Sequence, residues 1–269
     1  MHSLYRLFAT LPLTSVVFPV TASPVYLLSH FTSRDPTNGF VKYLDQEEAQ
    51  SQGLVSVSGS TAPGGRASVR LEGRKRYNHE LFVLDLAHIP SSTCGAWPSW
   101  WLYGPGKTWP ENGEIDIIEG IHTNAINTMS LYTSNGCSIS GSDLLDKVIT
   151  KNCFIHAPAG GGDYAMEWTS SSIKIWSFSR STTPSDIGGN SPNPKNWGIP
   201  QANFAGECNI ERHLPICSSF LIPHFVGTGL EANGMATRLA NTLAEYVEKD
   251  PAAFSESYWR INSLRVFQQ

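Results

Sequence analysis

The sequence predicts an all-β fold, a two-sheet antiparallel β-sandwich with one short helix near the C-terminus. Three observations point there. Charged residues make up only 16% of the 269-residue chain, while Gly and Pro number 23 and 17, a composition of strands and turns more than of helices laced with ion pairs. Short apolar runs recur at close intervals between turn signals, which favours antiparallel strands over βαβ units. The length suits one large all-β domain or two small ones, and no internal repeat or low-complexity linker divides it.

Taken in order, the first 23 residues are expected to lie outside the fold. Arg6 supplies a positive start, Leu7 to Val20 is apolar, and Thr21-Ala22-Ser23 offers small residues for cleavage. That pattern is a secretory signal peptide, too short and too interrupted by proline to span a membrane. A single domain is therefore expected over residues 24–269, secreted and extracellular, with no membrane association. Strand-like runs follow at Leu54–Val57, Ala67–Glu72, Glu80–Leu84, Trp97–Leu102, Glu114–Glu119, Ile126–Thr133, Tyr164–Trp168, Ile173–Phe178 and Ile261–Phe267. Ser185–Gln201, rich in Pro, Asn and Gly, reads as a surface loop. Met235–Lys249 places Leu239, Leu243 and Val247 at helical spacing, and Asp250-Pro251 stops it.

The net charge of −4 gives no reason to expect nucleic acid or anionic lipid as a partner. Eight Trp and nine Tyr instead supply faces on which a neutral ligand could stack. The five cysteines, Cys94, Cys137, Cys153, Cys208 and Cys217, form no metal-binding cluster and leave one odd thiol, with the pairing open. No metal and no cofactor are expected, and a monomer is.

The informative stretch is Trp109-Pro-Glu-Asn-Gly-Glu-Ile-Asp-Ile-Ile-Glu-Gly120. In a strand, Glu114 and Asp116 share one face while Ile115 and Ile117 share the other. Strict alternation would place Glu119 among the isoleucines, where an unpaired carboxylate costs several kcal/mol. A one-residue β-bulge near Ile117–Ile118 removes the conflict and returns Glu119 to the acidic face. Like charges held that close push their pKa values apart. Glycoside hydrolysis with retention needs that division, one ionised nucleophile and one protonated acid about 5–5.5 Å apart.

Upstream, Ala96–Tyr103 reads as another strand, with Trp97, Ser99 and Trp101 on one face. A Trp beside a carboxylate cluster offers a sugar subsite, although a lone Trp more often fills a core. In Asn127–Thr133, Met129 and Leu131 form an apolar face while Thr128, Ser130 and Tyr132 form a polar one. A strand next to the acids would turn that polar face toward a cleft.

Further segments are distinctive: Asp35-Pro-Thr-Asn-Gly-Phe-Val41, Arg74-Lys-Arg-Tyr-Asn-His79, Cys94-Gly-Ala-Trp-Pro98, Glu167-Trp-Thr169, Ile173-Lys-Ile-Trp176, Trp197-Gly198, Asn203-Phe-Ala-Gly206 and Tyr258-Trp-Arg-Ile-Asn-Ser263. With the acidic strand, they resemble laminarinase-like members of glycoside hydrolase family 16, especially the fungal secreted type. The resemblance implies a β-jelly roll of the concanavalin A-like kind, whose concave sheet binds β-1,3-linked glucan, including mixed 1,3-1,4 chains. It implies Glu114 as nucleophile, Asp116 as its helper and Glu119 as acid/base, with Trp97, Trp101, Trp109 and Tyr132 along the cleft. The implied activity is endo-acting hydrolysis by double displacement. A glucan-binding module without turnover and a cell-wall transglycosylase are the alternatives. Four departures stand out. The first strand is reduced to Pro24–Arg34, the loop between Cys153 and Asp163 is short, Tyr132 stands where members commonly carry histidine, and Leu214–Arg238 lacks the family's Cys-Gly-Asp-Trp-type motif. Two sheet positions are thus expected to lack a proper strand.

Overall fold

The computed structural model describes residues 76–120 apart from 105 and 107, then 122–123, 127–139, 161–215 and 245–268 apart from 248, together with the short elements named below that lie outside these spans. In chain order the strands are β1 (Lys42–Tyr43), β2 (Ala67–Ser68), β3 (Arg70–Glu72), β4 (Glu80–His88), β5 (Ser99–Tyr103), β6 (Glu114–Glu119) and β7 (Asn127–Tyr132). They continue with β8 (Cys153–Ile155), β9 (Gly162–Trp168), β10 (Ser172–Phe178), β11 (Ala202–Ala205), β12 (Ser219–Pro223) and β13 (Arg260–Gln268). A five-stranded sheet runs β11-β10-β9-β4-β13 and a six-stranded sheet β3-β12-β5-β6-β7-β8. Every pairing recorded within both is antiparallel. β1 and β2 form a separate two-residue parallel pair.

The two large sheets bury one hydrocarbon core between them. Phe82, Leu84 and Leu86 of β4 and Tyr164, Met166 and Trp168 of β9 come from one side. Trp100 and Leu102 of β5, Ile115, Ile117 and Ile118 of β6 and Met129 of β7 come from the other. Period-two alternation puts these residues inward and their neighbours outward, and burying each apolar side chain is worth about 1.5–3 kcal/mol.

The outer face of the five-stranded sheet is covered too, which corrects the reading of Ser185–Gln201 as a surface loop. Leu81, Val83, Ala165, Trp176, Phe178 and Phe267 form a second apolar cluster there, capped by Ile187 and Trp197 from that segment. Trp197 meets Trp176 and Phe178 edge-on, with centroids 5.5 and 6.1 Å away. Its indole N–H donates to Asp186 Oδ1 at 2.9 Å, so the large ring is buried with its polar atom satisfied.

The expected helix Met235–Lys249 is described only at its C-terminal end. Glu245–Val247 are helical, and Pro251 opens a 3₁₀ turn over Pro251–Phe254, but residues 235–244 lie outside the described residues. Short helices also occur at Gln46–Ser51 and Ile210–His213, too brief for a periodic signal. Residues 1–23, Pro24–Arg34 and Leu54–Val57 likewise fall outside the described residues. Within Leu214–Arg238, β12 takes a place between β3 and β5, so that sheet position holds a strand. Among the described residues no helix is long and apolar enough to cross a membrane.

One end of the sandwich is tied across. A disulfide joins Cys137, beyond β7, to Cys208, beyond β11, while Cys94 is free and exposed. Asn209 caps the helix that follows by accepting the Arg212 N–H, and Leu214 then packs on Gly113. That glycine sits at φ +82°, and a Cβ there would lie 2.4 Å from Leu214 Cδ2. Only glycine fits immediately before Glu114.

Candidate active site

On β6 the acidic residues share the sheet's outer face because of a bulge. Trp101 pairs with Asp116 and Trp100 with Ile118, leaving Ile117 as the extra residue between them. Ile115, Ile117 and Ile118 are all buried in the core, while Glu114, Asp116 and Glu119 turn away from it. The consecutive isoleucines are therefore accommodated at the position where strict alternation fails.

Neighbouring strands frame the acids in rows. Ser219, Tyr103, Glu114 and Tyr132 form one row across β12, β5, β6 and β7. Leu221, Trp101, Asp116 and Ser130 form the next. The Trp101 and Tyr103 rings lie 5.5 Å apart and the Trp109 and Tyr132 rings 5.3 Å apart. Trp109, at 59% exposure, is the most open large apolar side chain described. The structure thus brings Trp101, Trp109 and Tyr132 to the acids, as their sequence positions suggest.

Two indole N–H groups hold the outer carboxylates. Trp109 Nε1 donates to Glu114 Oε2 at 2.9 Å, and Trp97 Nε1 donates to Glu119 Oε1 at 3.1 Å. Trp97 is half-buried and is engaged with the acid itself. Its backbone is set by His122, which accepts the Gly95 N–H on Nδ1 at 3.0 Å and gives its own N–H to the Ala96 carbonyl at 2.8 Å. Residues 97–98 leave the ladder that the sequence assigned to them, because Pro98 has no N–H to offer. Its carbonyl instead accepts from Gly120.

Two of the carboxyls bind their protons more tightly than usual. Burial, then the charges of Glu119 and Glu114, then a hydrogen bond with Glu114 hold the Asp116 carboxyl well above the usual range. Burial raises Glu119 as well, partly offset by the Trp97 hydrogen bond. Burial, reinforced by the Glu119 and Asp116 charges, pushes the Tyr132 phenol up to about 12. No cation figures among the charges acting on Asp116 or Glu119. A buried carboxyl with no cation acting on it can keep its proton at a pH where an ordinary carboxyl has ionised.

Sequence reasoning missed Asn127. It sits at the head of β7 on the inner, apolar face and is 3% exposed. Its Oδ1 accepts the Glu119 N–H at 2.8 Å and its Nδ2 donates to the Ile117 carbonyl at 2.9 Å. A lone amide among hydrophobic positions is the one signal that could have found it.

The chain matches the family described as the XgeA-like, catalytic GH16 domain, over residues 28–154 and 154–267. An endo-1,3(4)-β-glucanase of Arthroderma benhamiae is 38% identical over 89% of this chain and 61% of its own length. The endo-1,3(4)-β-glucanase xgeA of Emericella nidulans is 31% identical over 99% of this chain and 51% of its own. The chain spans about half the length of the curated relatives it matches. Among solved structures, laminarinase 16A from Phanerochaete chrysosporium, with 6-O-glucosyl-laminaritriose in donor and acceptor sites, is 31% identical. It superposes with a TM-score of 0.76 over 92% of this chain and 99% of that one. An elongating family 16 β-1,3-glucosyltransferase is 34% identical, with a TM-score of 0.75 over 88% and 94%.

Proposed function

The chain belongs to glycoside hydrolase family 16, and from that premise we propose that it is a secreted, endo-acting β-1,3(4)-glucan hydrolase working by a retaining double displacement. The observation that carries the reading is the bulged β6, which gathers Glu114, Asp116 and Glu119 on one face of the strand with no cation acting on the last two. Glu114 attacks the anomeric carbon while Glu119 passes its proton to the departing glycosidic oxygen. Glu119 then takes a proton from water, which displaces Glu114 and leaves a β product. Its raised proton affinity suits the acid in the first half-reaction. Asp116, hydrogen-bonded to Glu114, stores or shares a proton and steadies the nucleophile.

Trp101, Trp109 and Tyr132 offer faces against which pyranose rings can stack beside the acids, and Trp97 acts on Glu119 as well as on the cleft wall. The disulfide Cys137–Cys208 fits the oxidising compartment that a secretory leader over residues 1–23 would reach. The partner is β-glucan, bound by a monomer.

A second reading has its own support. The glucosyltransferase neighbour suggests that the covalent intermediate could pass to a sugar hydroxyl in place of water. Reducing-end release on laminarin, lichenan and cellulose, with chain-length analysis of products, tests both. The hydrolase should shorten laminarin and lichenan and give β anomers. Products longer than the starting oligosaccharide would identify the transferase. Glucan binding without turnover would leave only a binding module.

A further inference from the structure

We propose that Asn127 is the positioning residue for Glu119, fixing the acid/base through the backbone of the bulge; this rests on the glucanase reading above. The argument begins with register. β5 and β6 pair on both sides of the bulge, from Ser99↔Glu119 to Tyr103↔Glu114. The β6–β7 pairing, in contrast, ends at Asp116↔Ser130. Beyond Asp116, the β6 backbone groups that face β7 have lost their strand partners, and this happens at a buried place where water cannot substitute.

Asn127 replaces the missing ladder with a side chain. The Ile117 carbonyl can only accept and the Glu119 N–H can only donate, so the amide's orientation follows from its partners. Both bonds have ordinary lengths, 2.9 and 2.8 Å. The task needs one donor and one acceptor on a short branch. Aspartate lacks the donor, leucine lacks both, and glutamine is a methylene too long.

The effect is selective within the acidic set. Glu114 and Asp116 are held on the β7 side by pairing with Tyr132 and Ser130, whereas Glu119 is held there by Asn127 alone among the described contacts. With Trp97 holding the carboxyl end and Asn127 the backbone end, Glu119 is fixed at two points. Removing Asn127 frees the bulge to shift and swings the carboxyl relative to the leaving oxygen, while the nucleophile stays where it is.

The test separates the step that needs Glu119 from the one that does not. Laminarin requires proton donation to its leaving sugar, whereas a 2,4-dinitrophenyl β-glucoside of matching length does not. In Asn127→Ala, laminarin kcat should fall about 10²-fold, the scale on which small misplacements act, with KM little changed. The burst of dinitrophenolate from the first step should stay near wild type. Asn127→Asp adds a negative charge beside Glu119, so the basic limb of its pH profile should move to higher pH. This near-isosteric variant also carries the test if the alanine variant does not fold. Equal losses on both substrates would make Asn127 a merely structural residue and overturn the proposal. So would no loss on either. A wild-type chain that neither cleaves laminarin nor gives the burst would instead overturn the glucanase reading itself.

Discussion

On β4 and β9 of the five-stranded sheet, Asp85 and Asp163 stand directly opposite one another, a crowding of like charges comparable to that on β6. Their surroundings differ. Arg180 donates to both, reaching Asp163 Oδ2 at 3.4 Å and Asp85 Oδ1. Thr183 donates to Asp163 at 2.7 Å and Asn262 to Asp85 at 3.0 Å. Burial raises Asp163, but the Thr183 hydrogen bond and the charges of Arg180 and Arg265 pull it back. On β6, Glu114 and Glu119 receive indole N–H groups, and no cation figures among the charges acting on Asp116 or Glu119. Two acidic clusters in one sandwich thus separate by compensation. Where cations answer the carboxylates, the cluster pins a loop. Where no cation offsets burial, as at Asp116 and Glu119, the carboxyls are held above the usual range.

The contrast breaks most visibly at the acids of β6. Glu119→Ala should lower laminarin kcat by about 10²–10⁴-fold, and Glu114→Ala at least as far. Azide distinguishes the two roles. Entering in place of Glu114, it attacks the anomeric carbon directly and gives an α-glycosyl azide. In Glu119→Ala, with an activated substrate, it attacks the covalent intermediate and gives the β azide, as NMR of the products would read. Full laminarin activity in Glu119→Ala, with Glu114→Ala dead, would place the acid on another strand.

At the compensated cluster the expected effect is on folding alone. Arg180→Ala leaves Asp163 buried beside Asp85 with the charge of Arg265 but not that of Arg180. Losing one partner of a fully buried pair costs about 3–5 kcal/mol, and the near half-exposure of Arg180 reduces that to about 1–3 kcal/mol. Urea unfolding should register the loss while laminarin kcat per folded molecule holds. An unchanged urea midpoint would mean the two aspartates tolerate each other without Arg180.

The smallest effect sharpens the contrast by sign. Asp116 titrates higher in the fold than in the unfolded chain, so the folded state binds the proton more tightly. Its acid therefore weakens the fold once pH rises above the ordinary carboxylate range, and the penalty disappears below it. Asp116→Asn should raise Tm at pH 7 by about 2–4 °C for each kcal/mol relieved, with little change at pH 3.5. Its kcat should fall less than that of Glu119→Ala. A Tm lowered equally at both pH values would show that Asp116 is valued for packing and not for charge.

Much of the acidic strand was legible in its own residues. Three acids and two adjacent isoleucines cannot all obey period two, so Glu114–Glu119 implied the bulge before any register was known. The partners of that strand were harder. Asn127 bonds to backbone, which leaves no trace in side-chain periodicity, and Trp97 depends on a turn that Pro98 and His122 build together. β8, β11 and β12 are three to five residues long, too short for alternation to rise above chance. Ile187 and Trp197 sit in a segment whose Pro, Asn and Gly content reads as exposed. Their burial follows from the apolar outer face of a sheet formed by residues far away in sequence.

The extra isoleucine has a consequence for how this strand can change length. In an ordinary strand, losing one residue turns everything beyond it to the opposite face. Here the count already contains a spare. If Ile117 were deleted, Glu-Ile-Asp-Ile-Glu would alternate perfectly, Ser99, Trp100 and Trp101 would keep their present kinds of partner, and all three acids would still face outward. The ladder to β7 could then close on its own and leave the Asn127 amide without its task. A one-residue deletion, usually ruinous inside a sheet, would here lead between two workable versions of one site, a route along which descendants of a common ancestor could diverge without ever losing the acids from their shared face.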